Sequence, residues 1–143
     1  MTPKSEAIQS LARRWYAALD THEPTETLVA MLDPASLTMV FPEATLTGLD
    51  GFAAWYEGVI RIFFDEAHHV ESVTIGGETA EGTEVGVVVR WEASRWKAPA
   101  PRSERIMLVA SQTWTVAIGD DDLPRITRYT VDRLDYLPGS ATL

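Results

Sequence analysis

The second half of the chain alternates between four β-rich segments and short turn-forming stretches. The segments HHVESVTI, TEVGVVVRWEASRW, RIMLVASQTWTV and RITRYTVDRL are rich in valine, isoleucine, threonine and aromatic residues. Only GGETAEG, KAPAPRSE and GDDDLP separate them. A crossover between parallel strands needs a dozen or more residues, usually a helix, so these connections predict four successive antiparallel strands.

Helical patterns come before the strands. Pro3 behind Thr2 is typical of a helix start, and apolar residues then recur at three- and four-residue steps as far as Leu19. We expect a short second helix over residues 25–32, a strand in SLTMVFP, and a small strand at residues 45–47. The third helix has its apolar residues on one wide face: Phe52, Trp55, Tyr56, Val59, Ile60 and Phe63. Helices first and strands last indicate an α+β fold.

Composition narrows the possible partners. The 143 residues fit a single domain, spanning residues 1–143. Lys and Arg total 12 against 21 Asp and Glu, a net charge of −9, which disfavours binding to nucleic acid. There is no cysteine, which excludes thiolate chemistry. No apolar run is long enough to span a membrane, and MTPKSEAIQS lacks the apolar core of a signal peptide, so a cytoplasmic protein is expected.

Three stretches carry a resemblance to a known superfamily: RRWYAALD with the following LDPASLTMVFP, the glycine turn in LTGLDGFAAWYEGV, and the closing QTWTV and LPRITRYTVDRL. From about Ile8 to Leu137 the chain resembles the SnoaL-like polyketide cyclases and ketosteroid isomerases of the nuclear transport factor 2-like superfamily. The resemblance implies a curved, cone- or barrel-like antiparallel sheet wrapped around a long helix, with N-terminal helices closing a pocket. It also implies a homodimer through the outer sheet face.

The catalytic residues of the ketosteroid isomerases are not expected to be present. Those enzymes use an aspartate base and, as hydrogen-bond donors to an oxyanion, a phenol and a protonated carboxylic acid. In the register of the resemblance, Phe41 stands at the base position, Trp15 at the phenol position and Gln112 at the acid position. Tyr16 is adjacent to Trp15 but turned about 100° away on the helix. The isomerase mechanism is therefore not predicted for this chain.

A ligand pocket is the expected feature of the concave face. Gln112 and Tyr129 would orient a ligand that carries a carbonyl or hydroxyl group. The alternative is that the aromatic residues simply fill the core. The expected pocket residues are Trp15, Phe41, Trp55, Val87, Val89, Trp91, Gln112, Trp114 and Tyr129.

His68 and His69 are the candidate catalytic residues. One of them could face the pocket mouth, with Asp65 or Glu71 selecting its tautomer. The competing interpretation is a structural histidine that bonds to backbone groups where the helix gives way to a strand. Adjacent residues of a strand point to opposite faces, so the two histidines do not predict a metal site, and no cofactor is expected.

Two functions follow from these expectations. The first is binding of a small hydrophobic oxygenated molecule, with cofactor-independent cyclase, dehydratase or isomerase chemistry. The second is a non-catalytic homodimer that associates with other proteins. The first requires a hollow cone, and the second does not.

Overall fold

The computed structural model describes residues 2–143, which form three helices and six strands. The helices are α1 (Pro3–Asp20), α2 (Thr25–Val29) and α3 (Gly48–Ile62). The strands are β1 (Thr38–Val40), β2 (Thr45–Thr47), β3 (Phe63–Thr79), β4 (Gly82–Arg95), β5 (Glu104–Ile118) and β6 (Pro124–Tyr136). None of the helices within residues 2–143 combines the length and the apolar character that crossing a bilayer requires.

The strands form one open sheet in the order β2-β1-β6-β5-β4-β3. The four long strands make the expected antiparallel meander, so the α+β class and the cone-like fold are confirmed. The sheet as a whole is mixed, however, because β1 lies parallel to β6, with Met39 opposite Tyr129. A wholly antiparallel sheet was expected. The difference arises because α3 and three long strands intervene, which lets the chain return beside β1 in the same direction.

Helix α1 lies against the concave face of the sheet. Thr2 caps it by accepting a hydrogen bond from the Ser5 backbone N–H, as its position before Pro3 predicts. Its inner stripe includes Ile8, Leu11 and Trp15, which are at most 1% exposed. Burying a side chain of this size stabilises a fold by about 1.5–3 kcal/mol. The buried stripe, more than helix propensity, therefore holds α1 in place.

Helix α3 buries less of its apolar face than its pattern suggests. Only Phe52 and Tyr56 are buried, whereas Trp55 stays partly exposed. The helix also ends at Ile62, and Phe63 is already extended as the first residue of β3. The prediction that Phe63 belongs to the helix is therefore wrong. Similarly, α2 ends at Val29, because the residues before the Leu32–Ile126 bridge form a turn.

Along the long strands, residues that face outward alternate with residues that are buried on the inner face. Val88 and Val109 face outward and are partly exposed, between inward residues such as Val87 and Leu108 that are fully buried. Arg90 and Glu92 lie further along the outer face of β4. The homodimer through this face stays a prediction.

Candidate active site

A cavity of about 790 Å³ lies between α1, α3 and the concave face of the sheet. Its volume is in the range of pockets that hold a small organic molecule. Phe41 and Trp55 stack on one another at its wall, with ring centroids 4.6 Å apart. The partly exposed face of α3 therefore borders a hollow. Further apolar lining comes from Val59, Ile60, Phe63, Val89, Leu108 and Leu134.

His68 lines this cavity and is held by Asp20, the last residue of α1. The Nδ1 atom of His68 lies 2.5 Å from Asp20 Oδ1, and the backbone N–H of His68 donates to Asp20 Oδ2 over 2.9 Å. A carboxylate only accepts hydrogen bonds, so Nδ1 carries a proton, and in the neutral form of the ring Nε2 keeps a free lone pair. Nε2 makes no hydrogen bond with any of residues 2–143, and it is not among the fully enclosed unpaired atoms. It is therefore available to a ligand.

Two aromatic rings fix the plane of the His68 imidazole. Tyr16 stacks on it with centroids 4.7 Å apart and planes inclined by 28°. Trp91 lies 5.8 Å away at 18°. The side chain of His68 is 11% exposed. Together with the two hydrogen bonds to Asp20, these contacts restrict the ring to one orientation, as a positioned proton acceptor requires.

A second polar group lies deeper in the cavity, formed by Tyr16, Gln112 and Tyr129. Trp114 Nε1 donates to Gln112 Oε1 over 3.1 Å, and Tyr16 Oη donates to the same oxygen over 3.0 Å. An indole N–H can only donate, so this contact identifies the amide oxygen and places the Gln112 amide nitrogen on the other side. Since the Tyr16 proton is used, Tyr129 donates to Tyr16 Oη, 3.0 Å away.

Tyr16, Gln112 and Tyr129 form the inner end of the cavity, here called the back wall. Their network fixes which atoms of the back wall donate hydrogen bonds to the cavity and which accept them. The Gln112 NH₂ group remains as a donor and the Tyr129 oxygen as an acceptor, and both residues line the cavity. Burial raises the pKa of Tyr129 to about 12. Burial, followed by the neighbouring Tyr129, raises the pKa of Tyr16 well above its ordinary value of 10.0. Both phenols are neutral at physiological pH, so the back wall offers hydrogen bonds and no charge.

A carboxylate, Glu66, also lines the cavity. Its Oε1 accepts a hydrogen bond from Trp91 Nε1 over 3.1 Å, and its Oε2 lies 2.5 Å from Nε2 of His22. The Glu66 side chain is 10% exposed and that of His22 27% exposed. Glu66 and His68 are two residues apart on β3, which brings both to the same face of the strand. Within residues 2–143, no three histidine, aspartate or glutamate side chains are arranged to hold a metal ion.

The structure separates the residues expected from sequence into two groups. The cavity is lined by His68 and by six of the nine expected pocket residues: Phe41, Trp55, Val89, Trp91, Gln112 and Tyr129. Trp15, Val87 and Trp114 do not line it, and each is at most 1% exposed. Trp15 packs on Phe52, Val87 pairs with Gln112 deeper in the sheet, and Tyr129 stacks on Trp114. These three are core residues, contrary to expectation.

His69 and Asp65 lie away from the cavity. His69 is exposed and its Nε2 lies 3.1 Å from Glu92 Oε2, on the strand face opposite to that of His68. Asp65 is exposed, has a φ of 50° at an irregularity in β3, and its carbonyl accepts from Arg105. It therefore does not orient a histidine. Asp20 takes that place, because the end of α1 packs beside the start of β3.

Four site residues were missed by sequence reasoning: Tyr16, Asp20, His22 and Glu66. In the register assumed from the sequence, Tyr16 points away from the pocket. In the structure, Trp15 points into the core and Tyr16 lines the cavity. The spacing of Glu66 and His68 on one strand was a signal that they share a face. No local pattern signalled Asp20 or His22, which are 48 and 44 residues away from their partners.

Several solved structures share this fold at low sequence identity. A Novosphingobium aromaticivorans protein named as an aromatic ring hydroxylase is 17% identical, with a TM-score of 0.81 over 100% of this chain and 97% of that one. A SnoaL-like polyketide cyclase by name from Jannaschia is 14% identical, with a TM-score of 0.72 over 94% and 90%. A protein from N. aromaticivorans named as a scytalone dehydratase is 18% identical, with a TM-score of 0.66 over 97% and 91%.

At such identities these likenesses establish the fold and not the reaction. No curated protein matches the sequence. A family model described as a SnoaL-like domain matches residues 12–129, a range that includes α1 from Ala12 onward, His68 and the Gln112–Tyr129 wall. The chain belongs to the SnoaL-like domain family.

Proposed function

We propose that the protein is a cofactor-independent acid–base enzyme that acts on a small hydrophobic oxygenated molecule. The observation that carries this proposal is the His68–Asp20 pair at the wall of an apolar cavity. An imidazole with its Nδ1 proton tied to a carboxylate and its Nε2 lone pair facing a cavity is a general base in position. The same carboxylate stabilises the positive charge that the ring gains on taking a proton.

The reaction would begin with removal of a proton from a carbon next to a carbonyl group. His68 Nε2 takes the proton, and the electron pair of the broken C–H bond delocalises onto the carbonyl oxygen. The Gln112 NH₂ group supplies a hydrogen bond to an oxygen that gains negative charge in this way. Return of the proton to another carbon gives an isomerisation, attack of the carbanion on a second carbonyl gives a cyclisation, and loss of a leaving group gives an elimination.

The cavity walls favour a flat, largely apolar substrate. The stacked Phe41 and Trp55 rings and the Trp91 ring offer aromatic faces to such a molecule. Solved structures with the same fold carry the names polyketide cyclase and scytalone dehydratase. Those names belong to other proteins and establish only the shared fold, so the proposal rests on the geometry of His68 and Asp20.

Exchange of carbon-bound hydrogen with solvent tests the proposal directly. A panel of bicyclic and tricyclic aromatic ketones, with α-tetralone as the simplest, would be incubated with the protein in deuterium oxide. Proton NMR would then follow loss of the signal next to the carbonyl. We expect exchange with the wild type and a loss on the order of 10²–10⁴-fold for His68→Gln.

His69→Gln is the matched control, since it makes the same change one residue along the strand, on the face away from the cavity. It should leave the exchange rate unchanged. Equal rates for wild type and His68→Gln would contradict the role of His68. If no ketone of the panel shifts the melting temperature or exchanges, the small-molecule function is wrong and the protein-association alternative gains support.

A further inference from the structure

We propose that Lys97 at the mouth of the cavity binds an anionic group, so that the preferred substrate is an aromatic ketone with a carboxylate remote from its reacting carbon. Lys97 holds that carboxylate while His68 acts on the other end of the molecule. This inference rests on the proposed function and makes it more specific, because it names a charged group on the substrate and the residue that selects for it.

The mouth of the cavity is marked by those of its lining residues that are exposed. They are Pro42, Glu43, Lys97, Tyr136 and Leu143. Gln112 and Tyr129 of the back wall are only 5% exposed, so the cavity is closed at that end. A ligand that extends from the back wall towards solvent therefore ends among the mouth residues.

Lys97 brings a positive charge to this mouth. Within residues 2–143 it is the only lysine or arginine that lines the cavity. The chain's other lysine, Lys4, is paired with Glu78, whereas the Lys97 ammonium group makes no hydrogen bond or ion pair within the same residues. An ammonium group offers three donors and no acceptor, and its strongest hydrogen bonds are to anions. The mouth therefore offers a binding point for a negatively charged group.

The stretch of chain around Lys97 is basic, although the protein as a whole is acidic. Arg95–Arg105 contains four cationic residues and one acidic residue, in a chain with a net charge of −9. Glu104 neutralises Arg95, but Arg102 is exposed and has no acidic partner within residues 2–143. Salt screens charges that are more than about 8 Å apart. A small anion at the mouth is therefore attracted by the nearby cations more than it is repelled by the distant acidic residues.

The backbone at Lys97 is anchored, so its side chain starts from a fixed point. The backbone N–H of Trp96 donates to the carbonyl of Ile62 at the end of α3 over 2.9 Å, and that of Ala100 donates to the Lys97 carbonyl over 3.0 Å. The Trp96 indole N–H donates to the Ala100 carbonyl over 2.8 Å. The turn that bears Lys97 is thus closed on itself and attached to the helix that borders the cavity.

The acidic residue at the mouth, Glu43, lies on a different side from Lys97. Glu43 belongs to the connection between β1 and β2, whereas Lys97 follows β4. In the sheet, β6 and β5 lie between β1 and β4, which places these two strands about 14 Å apart. Glu66, deeper in the cavity, is already engaged by Trp91 and His22. The two charges at the mouth therefore orient a ligand, with its anionic group towards Lys97.

The position of Lys97 relative to His68 indicates where the substrate carries its charge. His68 lies opposite Trp91 in the β3–β4 pairing, and Lys97 follows Trp91 further along the chain. An extended chain between residues 91 and 97 spans at most about 20 Å. Both His68 and Lys97 line the cavity. The carboxylate therefore belongs at the far end of a ring system from the carbon that His68 deprotonates.

Two ligands of equal size test the inference. One is α-tetralone with a carboxylate on the aromatic carbon farthest from the carbonyl, and the other is the corresponding primary amide. Isothermal titration calorimetry measures the affinity of each without requiring any reaction. We expect the wild type to bind the carboxylate about 3- to 5-fold more tightly than the amide, as one exposed ion pair allows. The preference should disappear between about 0.01 M and 1 M salt, as the screening length falls from about 30 Å to 3 Å.

Substitutions at Lys97 should remove or invert this preference. Lys97→Gln should bind the carboxylate only as tightly as the amide, and Lys97→Glu should bind the amide more tightly. In the hydrogen-exchange reaction, Lys97→Gln should raise KM for the carboxylate and leave kcat unchanged, because the ion pair is the same before and during proton removal. Lys4→Gln is the matched control, since Lys4 does not line the cavity, and it should leave both affinities unchanged.

Equal affinities of the wild type for the two compounds would overturn the inference. So would a Lys97→Gln variant that binds both compounds more weakly in equal proportion, which is the result expected if Lys97 only shapes its turn. Failure of the proposed function gives a different result, in which calorimetry shows the preference for the carboxylate but neither compound exchanges hydrogen with solvent. Lys97 then belongs to a site that binds an anionic aromatic molecule without transforming it.

Discussion

Asp20 determines which nitrogen of His68 carries the proton. This can be tested by replacing one carboxylate oxygen of Asp20 with an amide NH₂ group. The carboxylate accepts two hydrogen bonds, from Nδ1 and from the backbone N–H of residue 68. An amide has only one acceptor oxygen. In Asp20→Asn the fixed backbone N–H retains that oxygen, and the amide NH₂ then faces Nδ1 and favours the tautomer protonated at Nε2.

We therefore expect Asp20→Asn to reduce ketone exchange about 10²–10⁴-fold while ligand binding persists. Long-range proton–nitrogen NMR correlations should show the His68 proton moving from Nδ1 to Nε2. An unchanged tautomer with a lost rate would mean that Asp20 acts by another route.

At the residue scale, the sequence indicated which residues could belong to the site better than it indicated which side chains they contact. His68 was one of two candidates, and the alternation of a strand explains why only one of a neighbouring pair reaches the cavity. The orienting carboxylate was expected at Asp65 or Glu71, because sequence proximity was the only guide. Its true position at Asp20 depends on how α1 crosses β3, which no local pattern encodes.

At the scale of elements, the β3–β4 connection depends on one glycine. Gly82 has a φ of 142°, and a Cβ atom there would lie 2.4 Å from the carbonyl oxygen of Val116 on β5. Gly82→Ala should therefore destabilise the protein by roughly 1–3 kcal/mol, measured by urea unfolding. A Cβ atom added at Gly77, near the end of β3, would meet no other atom within 4 Å, so Gly77→Ala is the matched control and should change stability little. Equal effects of the two substitutions would contradict this account.

The long elements were predictable, and their junctions were not. Alternating β-branched residues and turn-forming stretches located all four long strands and even β2 at residues 45–47. The helical pattern of α3 continued through Phe63 because an aromatic residue suits both a helix face and a strand. The parallel pairing of β1 was unpredictable, since three residues contain no information about which strand lies beside them.

At the scale of the whole molecule, the buried phenols make stability depend on alkaline pH. Tyr129 has a pKa of about 12 in the folded protein and about 10 when unfolded. Below the lower value both states hold the proton and stability is unaffected. As the pH rises from the unfolded pKa towards the folded pKa, only the unfolded chain releases the phenol proton. The free energy of unfolding therefore falls, by about 2–3 kcal/mol when the pH reaches the folded pKa. Tyr16 acts in the same direction.

Thermal unfolding followed between neutral and strongly alkaline pH should show this decline. Tyr129→Phe should make the decline shallower, because phenylalanine has no proton to lose. Ultraviolet absorbance of phenolate offers a second readout, since the buried tyrosines should ionise only as the protein unfolds. Ionisation of all four tyrosines near their ordinary pKa, with the fold intact, would contradict the structure.

The hollow itself was the least predictable feature of the molecule. The same apolar residues can fill a core or surround a void, and the hydrophobic pattern is identical in both cases. The difference is decided by how far apart α1 and α3 lie, and so by packing over the entire sheet. Trp55 and Trp15 illustrate this, because both sit at regular helical spacing, yet one borders the cavity and the other is enclosed.

The pairing of β1 with β6 has a consequence for folding during synthesis of the chain. Thr38 is synthesised before α3 and strands β3 to β5, whereas its partner Arg128 is synthesised after all of them. Phe41 follows β1 directly, so it lacks its contact with Tyr129 of β6 until that strand has been made. A nascent chain interrupted before β6 would expose aromatic side chains that the folded protein covers. Quality-control factors could recognise these exposed side chains and so distinguish the incomplete chain from the folded protein.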